Sequence, residues 1–306
     1  MNYFGFQKSL IPEVQPVFST HGLVKKTVAD RLGLRAGIPV SYKAGDQLNN
    51  AFALNVLNPG EVAATAGTSG VIYGVSDNLN YDPLNRINSF AHVNHSQDQN
   101  RIGILLCING TGIFNRWIRD MVGSHQSYES LNMEASKISV GSDGLLMLPF
   151  GNGAERMLNN AVIGAHIHGL DFNKHHAAHL VRAAQEGISF AFRYGLDIMR
   201  ENNMQPTIIR AGKANMFLSG IFTKSFVNAT GVTVELYDTD ASIGAALGAG
   251  VGAMKYLNED EAFAGRRPIK IVEPQETDTY ESLYERWSGA LETQIQKIQT
   301  TNLTTA

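Results

Sequence analysis

The stretch from Lys174 to Glu201 constrains this chain most. Apolar residues recur there at Ala177, Leu180, Val181, Ala184, Ile188, Ala191, Phe192 and Ile198, the spacing of one face of an α-helix. A helix of this length carries an apolar stripe that must be covered, and a β-sheet is the broadest surface available for it. The flanking sequence supplies strands on both sides. Downstream, Thr207–Ala211 reads as a strand, Met216–Thr230 as a helix, Val232–Leu236 as a strand and Ser242–Met254 as a helix rich in Gly and Ala. Thr279–Gln299 closes the pattern as an amphipathic helix, and Lys174–Glu201 is expected to be the longest. Upstream, Glu61–Ala66 and Val71–Val75 form a hairpin, followed by strands Ser89–Asn94 and Ile102–Ile108. Gly112–Val122 is a helix with Ile113, Trp117, Ile118 and Met121 on one face, and Leu145–Leu148 is a strand. Earlier still come a helix over Leu23–Leu32 ending at Gly33, a short strand Ile38–Tyr42, and a helix Leu48–Leu57 stopped by Asn58-Pro59-Gly60. Hairpins dominate between 61 and 108, and strands alternate with helices afterwards. The fold class is α/β, a mixed sheet flanked by helices.

Composition narrows the function classes. The 306 residues suffice for one large domain or two smaller ones. Lys and Arg number 25 against 28 Asp and Glu, with no basic stripe, which argues against a nucleic-acid partner. No apolar run is long enough to span a membrane. Cys107 is alone, so no disulfide forms within the chain, and a reducing compartment is expected. The start, Met1-Asn-Tyr-Phe-Gly-Phe-Gln-Lys, lacks a signal-peptide core, and the expected location is cytoplasmic. His166, His168, His175, His176 and His179 match no zinc-ligand spacing; they are expected as solvated or capping groups, with no metal site on the protein.

Several short motifs each carry two readings. Asp46, in Gly45-Asp46-Gln47, follows a strand end, where open α/β sheets bind ligands. It is either a general base beside a substrate-holding Gln47 or the N-cap of the next helix. Gly67-Thr68-Ser69-Gly70 is either a loop aiming backbone N–H groups at an anion or a plain hairpin turn. Gly110-Thr111-Gly112 precedes a helix, whose N-terminus would attract phosphate, or is loop punctuation. It is not a Walker loop, since no Gly-Lys-Ser/Thr follows. Arg210-Ala211-Gly212-Lys213-Ala214-Asn215 is a strand–helix turn against which adenosine could lie, or a compact turn with Asn as cap. Gly-Ala-Ala-Leu-Gly-Ala at 244–249 reads as a helix packed tightly on a sheet.

Taken in order, these residues resemble the carboxy-terminal half of the FGGY family of carbohydrate kinases, the xylulokinase branch most closely, over essentially the whole chain. Pro12-Glu13-Val14, His21-Gly22 and Gly37-Ile38-Pro39-Val40 resemble the run before the family's Gly-Asp. Asp46 matches the family's general base and Gln47 its neighbouring substrate ligand. Gly67, Thr68, Ser69 and Gly70 match its second phosphate loop, with Thr68 near the terminal phosphates. Gly112 resembles the nucleotide-contacting Gly ahead of the Trp117-Ile118-Arg119-Asp120 helix, and Arg116 falls at a nucleotide-side position. Leu148-Pro149-Phe150, Gly153-Ala154-Glu155-Arg156 and Gly187 also match, with one extra Ala. The adenosine motif departs: Ala211-Gly212-Lys213-Ala214-Asn215-Met216 stands where the family usually has Gly-Gly-Gly-Ala-Lys/Arg-Ser. Gly212 and Asn215 are the adenosine-side candidates, and Lys213 reaches a phosphate or solvent.

The resemblance implies an actin-like (ribonuclease H-like) ATPase fold, the carboxy-terminal domain of a two-domain sugar kinase. Residues 1–45 would end the sugar-binding amino-terminal domain, and 46–306 would form the nucleotide-binding domain. It implies ATP and Mg²⁺ as cofactors and phosphorylation of D-xylulose to D-xylulose 5-phosphate. Gluconate, ribulose or glycerol are alternative acceptors, and a non-catalytic nucleotide-binding or interaction module is a further alternative. The family's first phosphate loop, Asp-x-Gly-Thr, has no match here, so the chain alone is expected to be inactive or nearly so. The expected partners are sugar and ATP/ADP, with a homodimer or an amino-terminal domain on a separate chain. An exposed apolar face around residues 1–45 is expected where that partner docks.

Overall fold

The computed structural model describes residues 2–79, 81–123 and 125–304. The strands are β1 (Gly22–Leu23), β2 (Pro39–Val40), β3 (Glu61–Ala66), β4 (Gly70–Ser76), β5 (Asn88–Ala91), β6 (Ile102–Ile108), β7 (Leu146–Phe150), β8 (Gly164–His168), β9 (Ile208–Gly212), β10 (Val234–Tyr237) and β11 (Lys270–Val272). The helices are α1 (Lys26–Leu32), α2 (Asp46–Ala53), α3 (Gly112–Gly123), α4 (Tyr128–Ala135), α5 (Ala177–Glu201), α6 (Gly220–Thr230), α7 (Ala241–Gly252), α8 (Glu259–Ala262) and α9 (Thr277–Thr304). They fall into two compact units, one of residues 1–53 with 241–266, the other of residues 54–240 with 267–306.

The larger unit is built on a sheet of order β11-β10-β9-β3-β4-β6-β5. β10, β9 and β3 run parallel, with Ala64 opposite Ala211; the remaining pairs are antiparallel. The helix α5 lies against this sheet and buries the stripe that the periodicity predicts, including Val181, Ala184, Ile188, Ala191 and Phe192. Small residues bring the layers together. A Cβ on Gly70 would lie 2.6 Å from the Phe192 ring, and one on Gly187 would lie 2.3 Å from the Met147 carbonyl oxygen of β7. The closing helix α9, of 28 residues, and not α5, of 25, is the longest. It is anchored by Trp287, fully buried, whose indole N–H donates to the Met147 carbonyl at 2.9 Å.

The smaller unit packs α2 on α7. A Cβ on Gly244 would lie 2.0 Å from the Asn49 carbonyl oxygen and one on Gly248 2.7 Å from the Tyr42 ring, so the small-residue run serves close packing, but against helix α2 and an aromatic ring rather than the expected sheet. Tyr42, Phe18, Phe52 and Phe263 stack around it. Tyr3, Phe4, Phe6, Leu10, Ile11 and Val14 of the same unit are exposed, Tyr3 at 92%, which matches the apolar face expected around 1–45.

Some elements depart from their sequence readings. The helix expected over Leu48–Leu57 spans Asp46–Ala53, because Asn55 takes a left-handed conformation (φ 54°) that ends it. The helix expected over Met216–Thr230 divides: Asn215–Leu218 is a 3₁₀ turn and Ser219 is extended, its hydroxyl capping α6 through the Phe222 N–H. α3 buries Phe114 and Ile118 and leaves Trp117 and Met121 exposed, so the expected apolar face is shifted. α4, capped by Ser127 on the Ser130 N–H, has no counterpart among the sequence readings.

Candidate functional site

The β3–β4 hairpin and the start of α3 form one wall of a cleft in the larger unit. The hairpin pairs Ala66 with Gly70 and leaves Gly67, Thr68 and Ser69 as its loop. The loop is joined to the helix by its own carbonyls: the Gly112 N–H donates to Gly67 O at 2.8 Å and the Ile113 N–H to Thr68 O at 3.2 Å. The Thr111 hydroxyl adds a bond to Thr68 O at 3.4 Å. A side chain at 112 is excluded, since its Cβ would lie 2.4 Å from the Gly67 oxygen. The first N–H groups of α3, which the Gly-Thr-Gly reading offers to a phosphate, are therefore spent on the hairpin loop. What faces outward is the loop itself, with Thr68 and Ser69 exposed.

The cleft has a volume of about 700 Å³, lined on this wall by Gly67, Thr68, Gly112, Ile113 and Arg116. The rest of its lining includes α4, with Tyr128, Glu129 and Asn132, and the turn into α6, with Asn215 and Ser219. Among the described residues Arg116 has no ion pair. Asn215 adopts a left-handed backbone (φ 53°), and its side-chain nitrogen lies 3.7 Å from where a Cβ on Gly67 would be, so loop and turn close on each other. The cleft thus brings together Gly67, Thr68, Gly112, Arg116 and Asn215. Ser69 and Gly212 are not part of its lining. Gly212 ends β9, where the next residue, Lys213, donates its N–H to the Tyr237 carbonyl at 2.8 Å. Asn132 and Ser219 belong to no motif in sequence; the local signals near them are helix caps, Ser127 at the start of α4 and Ser219 itself at the start of α6.

Asp46 and Gln47 belong to the smaller unit, at the start of α2. Asp46 is exposed, and its neighbour orients its carboxylate: Oδ1 accepts the Gln47 N–H at 2.8 Å and Oδ2 the Gln47 side-chain N–H at 3.3 Å. Among the described residues no hydrogen bond reaches Gln47 Oε1, which is left as an open acceptor. The histidines before and in the first turn of α5 serve structure: His175 Nδ1 accepts the Asp171 N–H at 2.9 Å, His176 precedes α5 as its cap, and His179 Nε2 lies 3.2 Å from Asp143. Among the described residues no group of three or more His, Cys, Asp or Glu is placed to hold a metal ion. Nor is any helix there long and apolar enough to cross a membrane.

Comparison with known proteins gives this geometry a family. The FGGY family of carbohydrate kinases, C-terminal domain, matches residues 62–254. The xylulose kinase of Haemophilus influenzae is 25% identical over 286 residues, 91% of this chain and 56% of that protein. The gluconokinase of Bacillus subtilis is 31% identical over 173 residues, 53% of this chain and 33% of that protein. The crystal structure of xylulose kinase from Rhodospirillum rubrum superposes with a TM-score of 0.84 at 23% identity, covering 96% of this chain and 59% of that one. Its fold, an actin-like ATPase fold, is shared by this chain, which spans little more than half the length of the xylulose kinase it matches. With the hairpin loop, the α3 start and the cleft all inside the matched segment, the chain belongs to the FGGY family of carbohydrate kinases.

Proposed function

We propose that this chain is the nucleotide-binding half of an ATP-dependent sugar kinase, transferring the terminal phosphoryl group of ATP to a sugar hydroxyl. D-xylulose, giving D-xylulose 5-phosphate, is the foremost acceptor. The observation that carries the reading is the cleft of about 700 Å³ walled by the Gly67–Thr68 backbone loop and Arg116. A phosphoryl donor needs positioning and charge stabilisation more than covalent chemistry, and such a wall supplies both. The xylulose kinase similarities support the acceptor, and the gluconokinase similarity keeps gluconate, with ribulose and glycerol, in the comparison.

In this reading Asp46 accepts the proton of the attacking hydroxyl, held in place by Gln47, whose open Oε1 takes a second sugar hydroxyl. Thr68 and the N–H groups beside it stabilise charge on the transferring phosphoryl, with Gly67 and Ser69 shaping the loop. Gly112 and Arg116 lie on the nucleotide side, Gly212 and Asn215 on the adenosine side. Mg²⁺ would supply neutralisation of phosphate charge, and the exposed Thr68 and Ser69 hydroxyls are the oxygen donors that the larger unit offers it. We assign residues 46–306 to the family's carboxy-terminal domain and 1–45 to the end of the sugar-binding domain, with the rest of the sugar pocket supplied by sequence outside this chain. Calorimetry with ATP, and an ADP-release assay with each acceptor, test the reading. ATP binding with negligible turnover by this chain alone is expected. Absence of ATP binding overturns the assignment, and turnover at the rate of ordinary kinases overturns the half-site.

A further inference from the structure

The motif residue of the cleft assigned to the adenosine side is Asn215, and telling one purine from another takes a further partner. A line of hydrogen bonds behind the cleft supplies one. Gln185 of α5 is 1% exposed and has both ends of its amide engaged. Its Oε1 accepts from the Ser219 hydroxyl at 2.6 Å, and its Nε2 donates to Asn132 Oδ1 at 2.7 Å. Ser219 Oγ itself accepts the Phe222 N–H at 3.4 Å as the cap of α6, so its proton goes to Gln185. The line therefore has a direction: Ser219 gives to Gln185, and Gln185 gives to Asn132. Asn132 lines the cleft, and because its Oδ1 is turned to Gln185, the other end of its amide is Nδ2, a donor and never an acceptor. Beside it on the first turn of α4, Glu129 brings a carboxylate to the cleft, whose lining also includes Arg116 and the backbone loop. A triphosphate is repelled by the first and held by the second, which leaves the α4 side for the base.

We propose that Asn132 is a specificity-determining residue of the nucleotide site, donating from Nδ2 to a ring-nitrogen acceptor of adenine, with Gln185 as the positioning residue that holds its amide one way round. This rests on the nucleotide reading of the cleft. Adenine N1 carries a lone pair; in hypoxanthine N1 carries a proton. An Nδ2 donor opposite a second donor forms no bond, and a site built around one hydrogen bond rejects the analogue that lacks it.

The test measures binding of ATP and of inosine triphosphate to the full chain by calorimetry. The two share the triphosphate and ribose, so their ratio reports the base alone. Wild type is expected to favour ATP by about tenfold, the worth of one hydrogen bond. Asn132→Asp keeps an oxygen for Gln185 and replaces Nδ2 by an acceptor; Asn132→Ala removes the donor without adding charge. Asn132→Ala is expected to bring the ratio close to one, Asn132→Asp to turn it toward inosine triphosphate, whose N1–H the carboxylate accepts, and Gln185→Leu, by letting the amide turn, to lower it in part. Thermal unfolding of each variant shows whether α4, α5 and α6 remain docked, a contribution that the ratio does not sense. Wild type without an ATP preference, or folded Asn132 variants that keep it, overturns the role of Asn132 and leaves the nucleotide cleft standing. Wild type binding neither nucleotide overturns the cleft reading and this inference together.

Discussion

A single carbon added at position 112 would lie 2.4 Å from the Gly67 carbonyl oxygen, in the seam that holds the phosphate-side loop to α3. Gly112→Ala must therefore push loop and helix apart. We expect a loss of about 1–3 kcal/mol of stability in urea unfolding, together with weakened ATP binding by calorimetry. Unchanged ATP affinity would remove this seam from the nucleotide site. His92 makes a second case at this scale. It is buried, its Nδ1 takes the Tyr73 hydroxyl at 2.6 Å, and its Nε2–H donates to the Val56 carbonyl at 3.0 Å. Burial holds its pKa down, from an ordinary 6.5 to about 4. Because the folded state resists the proton, His92 costs nothing above pH 6.5. Stability is lost as the pH falls from there toward 4, to a total of about 3 kcal/mol. Urea midpoints followed from pH 7 to pH 4.5 should show this slope, and His92→Gln should flatten it. The motif letters around Gly67 and Gly112 were legible in sequence. Where their N–H and C=O groups go was not, because the partners lie on different elements.

Among the elements, those with long regular patterns were read well. α5 and the β3–β4 hairpin carry enough period-3.6 or period-2 repetition for local sequence to decide them. α4 was missed because it spans only eight residues, buries just Leu131 and Ala135, and owes its start to the Ser127 cap. Ser127→Ala is expected to cost about 1 kcal/mol and to loosen the α4 wall of the cleft, measurable as faster hydrogen exchange there. α9 was read short, from Thr279 to Gln299 against Thr277–Thr304. Its docking rests on Trp287. Trp287→Ala should destabilise the larger unit by about 3–5 kcal/mol in urea unfolding, since it leaves both a cavity and an unpaired Met147 carbonyl. A loss below about 1 kcal/mol would mean that α9 is only loosely attached.

For the molecule as a whole, the smaller unit is assembled from two distant stretches, residues 1–53 and 241–266, that no local pattern joins. Its glycines at 244 and 248 were legible as a packing surface; that they close on Asn49 and Tyr42 was decided in three dimensions. The exposed Tyr3, Phe4, Phe6 and Leu10 should make the chain self-associate as concentration rises. Sedimentation velocity is expected to show this, and Phe4→Ser with Phe6→Ser to reduce it; a monomer at all concentrations would contradict it. By itself the sequence determined the α/β class, the main strands and helices, and the motif order that marks the family, because periodicity and turn chemistry act between near neighbours. Only the tertiary structure decided that the α3 N-terminus is spent on the hairpin loop. It alone decided that α4 and the turn into α6 complete the cleft, and that Asn132 faces it through a buried Gln185. Those are pairings between residues far apart in the chain, and their geometry exists only once the layers have packed.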